Sequence, residues 1–106
     1  MTIDLSAAAH HRWPPHVEAA LYFVACEAVT NALKHAPQSS VRVSLTTTEQ
    51  GPQLRVADTG PGFTTPPSGA GLRGMQDRIE SLGGRFDLAT APGGTVLTAL
   101  IPAEPI

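Results

Sequence analysis

The chain has 106 residues, 42% of them hydrophobic, which is enough for one domain with one modest core. A net charge of −2 leaves no broad basic face for nucleic acid, and no run approaches the ~18 apolar residues that span a bilayer. Residues 1–12 lack a basic start followed by an apolar run, so the chain is expected to be cytoplasmic, with no membrane contact of its own.

From the start, residues 2–5 alternate in polarity and could form a short edge strand. Residues 6–13 read as a linker, so 1–13 is expected to precede a folded unit at 14–106. Pro14-Pro15 suits a helix start, where a missing N–H costs nothing. The pattern is helical over 15–36, and Pro37 ends it. Val17, Leu21, Val24, Cys26, Ala28, Val29 and Leu33 spread over most of the circumference, so this helix is expected to be mostly buried. Cys26, the single cysteine, then reads as a buried, inert thiol. One narrow stripe is polar: Glu27, Asn31 and Lys34, at i, i+4 and i+7, with Thr30 and His35 beside it. Buried polar groups need partners, and water, a metal ion or a ligand could supply them.

Val41, Val43 and Leu45 alternate with Arg42, Ser44 and Thr46, which predicts a half-buried strand. After a turn at Gly51-Pro52, a second strand covers 54–58 and ends on Asp58. Residues 59–70 are rich in Gly, Pro, Ser and Thr, the composition and length of a functional loop. A second helix is predicted over 72–82, with Leu72, Met75, Ile79 and Leu82 on one face and Gly83-Gly84 as its cap. Phe86 to Leu88, a turn at Pro92-Gly-Gly94 and a last strand over 95–101 complete the chain. Helix, hairpin, loop, helix, hairpin is the order of an α+β two-layer sandwich, with both helices on one face of a mixed, mostly antiparallel sheet.

Three short blocks carry chemistry. Asp58-Thr-Gly60-Pro-Gly62 ends a strand with a carboxylate that can accept from an exocyclic amine, while the glycines admit a flat ring; a simple Asx turn is the other reading. Glu27-Ala-Val-Thr-Asn31-Ala-Leu-Lys34-His35 holds the polar stripe, in which Asn31 is a neutral oxygen ligand suited to Mg²⁺ or an amide satisfied by water. Lys34 and His35 are candidate phosphate contacts, although a histidine at a helix C-terminus is also favoured by the dipole alone. Gly69-Ala-Gly71-Leu72 opens the second helix, where free N–H groups make an anion site.

In this order and spacing the blocks resemble the N, G1 and G2 boxes of sensor histidine kinase ATP-binding domains. Gly71-Leu-Arg-Gly74-Met75-Gln-Asp-Arg78 is similar to the hallmark of the nitrate-sensor and lipid-fluidity-sensor subfamily. The resemblance implies the Bergerat ATP-binding fold over 14–106. It implies that Asp58 binds the adenine amine and that Asn31 holds Mg²⁺ for ATP. It also implies that Gly60, Gly62, Gly69, Gly71, Leu72 and Thr95 line the nucleotide site with Lys34 and His35. Glu27, Asn31 and Lys34 are the expected catalytic residues; the role of Glu27 is left open between orienting a water in the metal shell and helping to activate the acceptor, while in gyrase-like relatives the matching Glu is the general base for hydrolysis. Between the G boxes, 63–68 is a short lid.

The implied activity is transfer of the γ-phosphate from Mg-ATP to a histidine on a separate dimerisation domain, followed by a response regulator. Nothing in 106 residues resembles that dimerisation hairpin, so the chain reads as a fragment or a one-domain product acting in trans. Of its histidines, His10 and His11 sit in the expected linker, His16 opens the first helix and His35 belongs to the site's wall, so the domain is not expected to phosphorylate itself. The alternatives are an anti-sigma-factor-type serine kinase, which the Gly-Met-x-x-Arg helix disfavours, and a non-catalytic ATP-binding module.

Overall fold

A computed structural model describes residues 1–35, 40–60, 70–91 and 93–106. Five strands form one sheet: β1 (Thr2–Asp4), β2 (Val41–Thr47), β3 (Pro52–Asp58), β4 (Arg85–Ala91) and β5 (Gly94–Leu100), in the order β1-β2-β3-β5-β4. β1 runs parallel to β2 at one edge, and all other pairs are antiparallel. Helices α1 (Pro15–His35) and α2 (Ala70–Ser81) supply the second layer. The expected α+β sandwich is therefore what the chain forms.

The pairing register sorts the side chains into rows. On the helix-facing side Leu45, Leu54, Ala99 and Phe86 stand across the sheet, then Val43, Val56, Leu97 and Leu88, then Val41, Asp58, Thr95 and Thr90. The first two rows are apolar and belong to the core or pack against it. Onto them α1 lays Val17, Ala20, Leu21, Val24, Ala28 and Ala32, a stripe at helical spacing, and α2 lays Met75 and Ile79, both fully buried. α2 stops at a glycine cap, where the Gly83 N–H donates to the Glu80 carbonyl at 3.0 Å and the Gly84 N–H to the Ile79 carbonyl at 2.9 Å.

Several expectations need correction. Residues 6–13 are no loose linker: Ser6–Ala9 forms a turn of 3-10 helix, and Trp13, 1% exposed, is part of the core. Its burial has local and distant causes. The Trp13 N–H donates to Glu18 at 3.1 Å, and the chain end wraps back so that the Ile106 N–H donates to the Arg12 carbonyl at 2.7 Å. Cys26 is exposed and Leu33 is half exposed, because α1 meets the sheet on one side only and its apolar circumference is wider than the face covered. Helix α2 starts two residues earlier than its apolar spacing suggests, at Ala70, so Gly71 lies inside its first turn.

The start of α1 is held by charge. Arg12 grips the Glu18 carboxylate with two donors, at 2.8 and 2.7 Å, while the Trp13 N–H adds a third. The Arg12 guanidinium first, and the Trp13 N–H second, hold the Glu18 carboxyl well below its ordinary 4.5, at about 2. A depressed folded-state value stabilises the fold above the ordinary range and loses that contribution as pH falls through the depressed one. The melting temperature of the native chain should thus exceed that of Glu18→Gln near neutral pH, and the gap should close between pH 4.5 and about 2. A gap that stays constant across that window in calorimetry would show that the fork contributes nothing through charge.

Candidate functional site

The third helix-facing row, at the end of the sheet, is where polar chemistry gathers. Asp58 closes β3 and lies opposite Thr95 of β5, which in turn lies opposite Thr90 of β4. Thr95 is buried, and its hydroxyl is 3.3 Å from that of Thr90. The Asp58 Oδ1 accepts from the Gly60 N–H at 2.9 Å. That bond is the Asx turn that a strand-end Asp followed by Gly favours. It also pins the carboxylate, and the other oxygen has no partner among the described residues. The backbone beyond is tied down as well. Thr59 donates its N–H to the Ser40 carbonyl at 3.1 Å and accepts the Ser40 N–H on its hydroxyl at 3.0 Å. A half-buried acceptor edge results, with the Thr95 and Thr90 hydroxyls in the same row.

Gly94 is what lets β5 begin beside Asp58. Its φ is 150°, and a Cβ placed there would collide with the Asp58 carbonyl oxygen and come within 3.4 Å of the Thr59 Cα. Of the predicted glycines, Gly60 is buried at the turn, while Gly62 and Gly69 lie outside the described residues, as does the expected lid at 63–68.

The second part of the site lies between the helices. Glu27 and Asn31 are half-buried on α1 and Lys34 is exposed one turn on, so the polar stripe is real but only partly covered. The side chain of His35 lies outside the described residues. Thr30 is not engaged in the stripe; its hydroxyl donates to the Cys26 carbonyl at 2.8 Å, one turn back along α1. Among the described residues the Asn31 amide and the Lys34 ammonium make no hydrogen bond or ion pair. Glu27 reaches α2: a Cβ on Gly71 would stand 3.2 Å from the Glu27 Oε2. Leu72 follows, half-buried against the core, as an apolar wall.

Thr90 is the polar neighbour that sequence reading missed. Its signal was available in the pairing parity of the last hairpin, since pairing Ala91 with Gly94 sets Thr90 opposite Thr95. A groove of about 420 Å³ also exists, lined by Trp13, Gln50, Gly51, Pro102 and Glu104 among others. It lies by the β2–β3 turn, at the opposite end of β3 from Asp58, roughly 20 Å away at strand rise. It takes no part in the polar row.

Residues 16–105 match the family described as histidine kinase-, DNA gyrase B- and HSP90-like ATPases. The chain is 37% identical over 95 residues to the signal transduction histidine-protein kinase/phosphatase DegS of Brevibacillus brevis, covering 86% of the chain and 25% of that protein. It is 37% identical over 89 residues to the sensor histidine kinase MctS of Rhizobium johnstonii, covering 78% of the chain and 19% of that protein. The chain thus spans a quarter or less of these relatives' length. A similar solved structure is the histidine kinase domain of the Erythrobacter litoralis EL346 blue-light activated histidine kinase. Its TM-score is 0.75 at 21% identity, over 84% of this chain and 48% of that one, a likeness of fold.

The close passage of Gly94 past Asp58 gives a direct test. Gly94→Ala should destabilise the domain by more than about 1 kcal/mol, since an L-residue is strained at this φ and its methyl meets backbone. Gly93→Ala, where nothing lies within 4 Å, should be neutral to within about 0.5 kcal/mol. Urea unfolding of the pair checks this, and equal effects would contradict the placement.

Proposed function

The chain belongs to the histidine kinase-, DNA gyrase B- and HSP90-like ATPase family, and we propose that it is the Mg-ATP-binding catalytic domain of a two-component sensor histidine kinase. The observation that carries this reading is the pinned Asp58. With Oδ1 committed to the Gly60 N–H, Oδ2 is left to accept from an exocyclic amine. Adenine offers that amine, whereas guanine would set a carbonyl oxygen against the carboxylate. Thr95, buried beside it, supplies a hydroxyl for a neighbouring ring nitrogen or an ordered water.

The triphosphate runs toward the helices. Asn31, half-buried with its amide unengaged among the described residues, is the oxygen ligand for Mg²⁺. One protein oxygen suffices for this ion, which keeps waters and takes the rest of its shell from phosphates. Lys34, one turn on from Asn31, is the phosphate contact of this reading, to which His35 also belongs. Gly71 and Leu72, at the start of α2, face the phosphates in this reading, to which Gly69 also belongs; the first turn of a helix presents free N–H groups. Gly62 belongs to the same reading.

In this reading the domain positions rather than reacts covalently. A histidine nitrogen of a separate dimerisation domain attacks the γ-phosphorus in line, the N–P bond forms as the bond to the bridging oxygen breaks, and ADP leaves. When bound, Mg²⁺ neutralises the charge that develops on the phosphoryl oxygens. The phosphohistidine then serves a response regulator. The setting in this reading is the cytoplasm, where such domains meet ATP.

Two measurements test this. ATP should bind more tightly than GTP by roughly 10- to 100-fold, the value of a hydrogen bond to a charged group, and Asp58→Ala should abolish the preference without unfolding the domain. Equal affinities would overturn the Asp58 assignment. With a dimerisation hairpin added in trans, Asn31→Ala should lose acid-labile phosphate transfer by more than it loses nucleotide affinity. Transfer at the native rate would remove Asn31 from the metal site.

A further inference from the structure

The groove around Trp13 lies at the far end of β3 from the Asp58 row and holds a polar atom that the fold leaves unserved. Trp13 lines the groove and is 1% exposed, yet among the described residues its indole Nε1 is a buried donor with no acceptor. Buried donors in folded proteins are nearly always paired, because leaving one without an acceptor is costly. The walls are built from fixed backbone. On one side the Thr48 hydroxyl donates to the Gly51 carbonyl at 2.7 Å and accepts the Gln50 and Gly51 N–H groups at 3.2 and 3.1 Å, which locks the β2–β3 turn. On the other the Ala103 N–H donates to the Gln50 carbonyl at 3.0 Å, and the Ile106 N–H to the Arg12 carbonyl at 2.7 Å. Between those two ties Glu104 and Pro105 make no backbone hydrogen bond among the described residues, so this stretch can shift to open the indole edge.

The lining decides what the groove accepts. Its charged members are Glu49 and Glu104, both exposed and neither in an ion pair among the described residues, and no Lys, Arg or His of those residues lines it. Anions are therefore disfavoured. A ligand has to bring an acceptor for the Trp13 N–H, positive charge for the carboxylates and apolar surface for Pro102 and Pro105. We propose that this groove is a docking site for a basic, extended peptide segment of a partner protein. A main-chain carbonyl of the segment accepts from Trp13 Nε1. An adjacent lysine or arginine lays its alkyl stem on the prolines and directs its charge toward Glu49 and Glu104. A volume of about 420 Å³ is at the small end of ligand sites and suits one long side chain with its flanking peptide groups. A small anion fails on charge, and a water alone leaves both carboxylates unpaired.

The probe is the peptide acetyl-Ala-Pro-Lys-Pro-Ala-amide, kept extended by its prolines and titrated into the native chain. Trp13 is the single tryptophan, so its indole N–H gives one resonance and reports the donor directly. That resonance should move to saturation together with the amides of residues 48–51 and 103–104, while those of Asp58 and Gly60 stay in place. Acetylating the lysine of the probe, or combining Glu49→Gln with Glu104→Gln, should weaken binding about fivefold, the value of two exposed ion pairs. Added salt should weaken the native complex. Trp13→Phe should weaken it by about the same factor through loss of the hydrogen bond; should that variant fold poorly, the indole resonance of the native chain decides by itself. An indole resonance unmoved at millimolar peptide would overturn the proposal, and so would binding indifferent to both the lysine charge and the two carboxylates. Either result leaves the nucleotide reading standing, because Asp58 and its row take no part.

Discussion

The register of β3 against β5 is the constraint on which the rest of the molecule depends. Asp58 opposite Thr95, Val56 opposite Leu97 and Leu54 opposite Ala99 set two apolar rows under the helices and one polar row at their end. A slip of one residue would pair Asp58 with Val96, turning Thr95 to the solvent face and Val96 toward the helices. Gly94 guards against that slip. It starts β5 where only a residue without a side chain can pass the Asp58 carbonyl. The same steric requirement that allows the hairpin to close thus places the carboxylate.

Two carboxylates of α1 sit in different settings. At the start of α1 the Arg12–Glu18 fork and the return of the chain end to the Arg12 carbonyl bury Trp13 in the core. Midway along the helix Glu27 approaches Gly71 of α2, where an added Cβ would stand 3.2 Å from its Oε2. The first resembles a structural staple, with a carboxylate satisfied by three donors. The second leaves a half-buried carboxylate between the helices with no ion-pair partner among the described residues.

Much of this was legible in the sequence, because the site is made of short-range signals. Strand-end Asp followed by glycines, a polar stripe at i, i+4 and i+7 on an apolar helix, and glycines at a helix start each state a local geometry. What escaped is non-local. The pattern of α1 shows that it is apolar nearly all round but not which side the sheet covers, so Cys26 and Leu33 were placed inside and are outside. Trp13 read as linker because nothing near it in sequence says that Ile106 returns to cover its neighbour. Thr90 escaped because its chemistry depends on a strand pairing, and a lone Thr in a strand carries no signal of its own.

The central claim is that the polar row at the Asp58 end of the sheet, and no other surface, receives the base. Amide chemical-shift mapping with adenosine tests it most directly, because adenosine lacks phosphates and reports the base pocket alone. The account predicts the largest shifts at Asp58, Thr59, Gly60, Thr90 and Thr95, with residues 47–51 and 102–105 unmoved. Shifts centred on the groove around Trp13, Gln50 and Pro102, with the Asp58 row silent, would contradict it.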